Sequence, residues 1–135
     1  MTTRHVLVLT SESRRKQFWE MVSLGQYRTD FGRYFVNFSI KVFNFPDKGS
    51  YPEFQKVVIE GEGRPYQMFA NGIVQELHLV RFGHPFLDSI QVEAGITQDS
   101  GLRIDPDISE AQLQDALGFD QDLAKLICQY LKPAT

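Results

Sequence analysis

The apolar run Val6-Leu7-Val8-Leu9 inside Arg4 to Thr10 is unbroken by polar residues, the pattern of a short strand buried on both faces. After it, Phe18, Met21 and Val22 recur at helical spacing, so Ser11 to Leu24 reads as a helix that Gly25 ends. Glu12, Lys16 and Glu20 fall on its opposite face, four residues apart, where neighbouring charges can pair. From Arg33 to Phe43 the pattern changes to strict alternation. Tyr34, Val36, Phe38, Ile40 and Val42 take one side, and Arg33, Phe35, Asn37, Ser39, Lys41 and Phe43 take the other.

Pro46 to Pro52 reads as a loop, and Phe54 to Glu60 as a further strand broken by Gly61-Glu62-Gly63-Arg64-Pro65. Asn71-Gly72 separates Tyr66–Ala70 from Ile73–Phe82. Both residues tolerate positive φ, which predicts a two-residue hairpin. Ile90 to Ala94 is read as a last strand and Thr97 to Pro106 as a polar loop. Ser109 with Gln112 three residues on matches a capping box, and Gly118 suits that helix's end. Asp120 can cap a final helix whose apolar stripe is Leu123, Leu126, Ile127 and Tyr130. The expected fold is α+β: a mainly antiparallel sheet, with an N-terminal helix and two C-terminal helices packed on one of its faces.

Length and composition add bounds. The 135 residues fit a single domain, 1–135, able to bury a core without metal or disulfide support. The one cysteine, Cys128, excludes an intramolecular disulfide and suits a reducing, cytoplasmic setting. The run at Val6–Leu9 is too short for a secretory signal, and no stretch approaches the roughly 20 apolar residues of a membrane span.

Charge is distributed unevenly. Residues 1–50 hold eight Lys/Arg against four Asp/Glu, and residues 96–135 hold three against seven. Nine of the seventeen aromatic residues lie between Phe18 and Phe45, in the basic half. Arg33, Phe35, Lys41 and Phe43 on one side of the long strand therefore form a candidate binding face, because aromatic rings and cations are enriched at protein interfaces and also hold nucleic acid. The competing reading buries both rings under a helix. Arg14 and Arg15 are the second candidate, since cations at a helix start oppose the macrodipole; the competing reading is a solvated face.

Other chemistry finds little support. His5, His78 and His84 lack zinc spacing and are expected to be structural. Cys128 has no sequence-near base and lies towards a helix C-terminus, which disfavours a thiolate. Asp105-Pro106-Asp107-Ile108-Ser109 has the start of a calcium loop, but Ala116 stands where the bidentate carboxylate belongs, so these acids are read as favourable charge at a helix start. A DNA-reading helix pair is disfavoured by Asp115, Asp120 and Asp122 at its junction. The expectation is a non-enzymatic adaptor, inhibitor or assembly protein that binds another protein and forms a homodimer, without cofactor or metal. The alternative is a nucleic-acid-binding accessory protein using the same strand.

Overall fold

A computed structural model of the chain describes residues 2–23, 35–63, 77–80, 83, 85–93, 96 and 101–131. These form strands β1 (Thr2–Leu9), β2 (Phe35–Phe45), β3 (Phe54–Gly63), β4 (His78–Val80) and β5 (Gly101–Ile104). The helices among them are α1 (Glu12–Ser23), α2 (Pro85–Glu93), α3 (Glu110–Leu117) and α4 (Gln121–Leu131). The expected α+β class is what the chain adopts.

The strands make one sheet in the order β2-β3-β1-β5-β4. β1 pairs antiparallel with β3 and parallel with β5, while β2–β3 and β4–β5 are antiparallel. The sheet is thus mainly antiparallel, with one parallel seam. β1 and β2 both run against β3, so they are parallel to each other with β3 inserted between them, a split β-α-β arrangement around α1. The central position of β1 explains its sequence. Both of its faces are covered, so Val6, Leu7, Val8 and Leu9 are all buried.

The two faces of the sheet have separate cores. Val6 and Val8 of β1 stand with Phe54 and Val58 of β3 and Leu102 and Ile104 of β5 in one cluster, which takes in Leu87 and Ile90 of α2, Leu113 and Ala116 of α3, and Ala124, Ile127 and Leu131 of α4. Leu7, Leu9, Val57 and Ile59 are buried on the opposite side. That side belongs to α1, whose Trp19 donates its indole N–H to Gln55 Oε1 at 2.9 Å, Gln55 being the register partner of Leu9. Helices therefore flank both faces of the sheet, where the pattern had suggested one.

Local signals near the helix ends are realised in detail. Ser11 Oγ accepts the backbone N–H of Arg14 at 3.1 Å, starting α1. Ser109 and Gln112 exchange both capping-box bonds, and Gly118 takes the left-handed conformation, φ 73°, that ends α3. Asp120 Oδ1 accepts the Leu123 N–H at 2.9 Å and starts α4.

Four readings need correction. Ile90 belongs to helix α2, not a strand: the Ile90-Gln91-Val92 alternation mimics a strand, but Leu87 and Ile90, three apart, both reach the core. The expected loop at 97–106 contains β5, whose Leu102 and Ile104 sit beside Val6 and Val8. β3 continues through Gly61-Glu62-Gly63 because both β1 and β2 pair with it there. The buried stripe of α4 runs through Ala124, Ile127, Cys128 and Leu131, while Tyr130 is exposed and Leu123 and Leu126 are half-buried. The Asn71-Gly72 hairpin lies outside the described residues.

Candidate functional site

Among the described strands, β2 occupies one end of the sheet, with β3 as its neighbour. Along its C-terminal half, Lys41 stands opposite Val58, Phe43 opposite Lys56 and Phe45 opposite Phe54. These odd positions share the sheet face that carries α3 and α4. Phe45 reaches the core and stacks on Phe54, ring centres 4.5 Å apart and nearly parallel. Phe43, one step nearer the strand's middle, is 42% exposed, and Lys41 is exposed beside it. On the other face Val42 is 39% exposed and Ile40 half-buried. The reading that buries Phe43 under a helix does not hold.

Lys56 organises this margin. Its Nζ lies 4.7 Å from the centre of the Phe43 ring and donates to the carbonyl of Ala116 at 2.7 Å, at the last turn of α3. A cation over a ring face and beside the carbonyl end of a helix is favourable on both counts. Burial, and then the neighbouring Arg4, push the Lys56 amine below the ordinary lysine range. Next to it the loop after β2 is clasped to α3: Lys48 Nζ donates to Asp115 Oδ2 at 2.8 Å, and the Tyr51 hydroxyl donates to the same oxygen. The Lys48 and Tyr51 bonds hold the Asp115 carboxyl below its usual range. Burial, then the bond to Asp115, raise the Tyr51 hydroxyl. Neither lysine of the group was singled out from sequence, since Lys56 and Ala116 are 60 residues apart and Lys48 and Asp115 67 apart.

The remaining sequence candidates are dispersed. Arg33 lies outside the described residues. Phe35 opens β2, but the register shifts between Phe35 and Phe38: Phe35 pairs with Gly63 and Phe38 with Gly61, three residues against two. The extra residue of this bulge interrupts the alternation between Phe35 and the Lys41–Phe43 half of the strand. Simple alternation had grouped Phe35 with Phe43.

Arg14 and Arg15 are engaged within the fold rather than forming a solvated face. Arg14 Nε is 3.3 Å from Oδ2 of Asp105, whose side chain is 0% exposed. Asp105 follows β5 directly, its N–H donating to the carbonyl of Val8, and its Oδ1 accepts the Asp107 N–H at 3.2 Å. Asp105 is thus a buried anchor for α1 and not merely charge at a helix start. Arg15 donates to the carbonyls of Thr10 and Glu53 and pairs with the Glu53 carboxylate at 3.6 Å.

His5 is buried in β1, and burial, with Arg103 adding to it, lowers its pKa to about 3, so it is neutral at pH 7. His78 is exposed in β4 and His84 lies outside the described residues. Cys128 is buried with its Sγ directed at the carbonyl of Ile108, 3.9 Å away. Among the described residues no group of three or more His, Cys, Asp or Glu could hold a metal ion, and no helix is long and apolar enough to cross a membrane. Comparison with family models, curated proteins and solved structures gives no significant match.

Proposed function

We propose that this chain is a non-enzymatic adaptor, inhibitor or assembly protein, and that it binds a protein partner through the sheet margin formed by Lys41, Val42 and Phe43. The observation that carries this reading is the exposure of Val42 and Phe43, consecutive residues on opposite faces of the end strand, at 39% and 42%. An aromatic ring with a cation packed on it and an apolar neighbour is the composition of an interface anchor rather than of a solvated surface. Arg14 and Arg15, drawn into the α1 anchor, are left out of the contact. The lone, buried Cys128 accords with a reducing, cytoplasmic setting.

The test compares the wild-type chain with Lys41→Glu and Phe43→Ala variants, each first checked for cooperative unfolding. If Phe43 is an anchor, binding of a purified partner recovered with the wild type falls by about 30-fold or more in Phe43→Ala, the scale of a 2 kcal/mol hot spot. A folded Phe43→Ala, Lys41→Glu double variant that binds at full strength would overturn the proposal. The alternative, nucleic-acid binding, is suggested by the same exposed ring beside Lys41, since a base can stack where a cation holds its phosphate. Titration of a fluorescent single-stranded oligonucleotide separates the two. Affinity that falls steeply with salt, with a slope reduced by about one unit in Lys41→Glu, selects nucleic acid. Light scattering reads the third arm, a homodimer, as a doubled mass that Phe43→Ala returns to that of the monomer.

A further inference from the structure

We draw no further inference here: the strongest candidate, the outer edge of β2 where Val42 and Phe43 are both exposed, belongs to the surface already described, and nothing in the structure shows what covers it.

Discussion

Replacing Arg14 with Met is expected to destabilise the protein substantially, although Arg14 lies near the start of a surface helix. The reason is its partner. Asp105 is fully buried at the end of β5, and Arg14 Nε stands 3.3 Å from its Oδ2. Removing one member of a buried pair strands the other's charge, which costs about 3–5 kcal/mol. Arg14 is 20% exposed, so water has some access to the site and the lower figure of about 3 kcal/mol applies. A protein with 5–15 kcal/mol of total stability stays folded after that loss, but with a much reduced margin. In urea, with a slope near 2 kcal/mol per M, the midpoint should fall by about 1.5 M.

The companion variant Asp105→Asn keeps an oxygen for the Asp107 N–H and leaves the stranded charge on Arg14, which can turn to water. Its cost should be about 1–2 kcal/mol. In the double variant no buried charge is stranded, so its destabilisation should undercut the sum of the singles by about 1–3 kcal/mol. Circular dichroism at pH 7 across the four proteins completes the cycle. An Arg14→Met midpoint equal to wild type, or strictly additive single effects, would refute the anchoring role.

The two phenylalanines of neighbouring strands should respond differently to truncation. Phe54→Ala opens a cavity under Phe45 and Tyr51 and should cost about 3–5 kcal/mol. Phe43→Ala removes an exposed ring and its cation contact and should cost about 1 kcal/mol, so equal losses on thermal unfolding would contradict the marginal placement of Phe43. His5 makes stability depend on pH with a definite sign. Its folded pKa of about 3 lies below the ordinary histidine value of 6.5, so the unfolded state binds the proton first and stability falls as pH drops from about 6.5 towards 3. The loss should approach about 1.4 kcal/mol per pH unit, and His5→Gln should flatten the curve between pH 6.5 and 5; parallel curves for the two proteins would exclude His5 as the source. Gly118→Val should cost about 1–2 kcal/mol through its left-handed backbone alone. No atom lies within 4 Å of the added Cβ, so a thermal midpoint that does not move would argue against that conformation.

What could be read from sequence was what neighbouring residues decide among themselves. The Ser109–Gln112 box, the Gly118 stop and the Asp120 cap each involve residues within one turn, so their types alone predicted their geometry. Val6–Leu9 was legible as a doubly buried strand because only a central strand supports four apolar residues in a row. Alternation likewise revealed β2, but a period of two carries no count of bulges, and one extra residue separated Phe35 from Phe43. The candidate margin was only half visible. Lys41 and Phe43 were picked out by type and position, yet the cation resting on Phe43 comes from β3 and is fixed by a helix end 60 residues later. Arg14 was noticed because its charge opposes the helix start. Its actual partner, Asp105, directly follows a strand that looked like a loop because it is four residues long, opens on Gly101 and is followed by Asp105-Pro106.

The parallel seam between β1 and β5 also governs the order of events during synthesis. β1 is made before both of the strands that flank it, and its antiparallel neighbour β3 is complete at Gly63. The strand that completes its other side ends at Ile104. At about 5–20 residues per second, the roughly 90 residues from β1 to β5 take about 5–20 s to emerge. Once β3 is complete the chain can assemble β2, β3 and β1, but the His5–Val8 edge of its most apolar strand still waits for a partner. Such an edge is a template for any extended chain that passes. A nascent chain of this protein halted before Gly101 would therefore be a natural client for a chaperone, and the four residues Gly101–Ile104 are the segment whose arrival releases it.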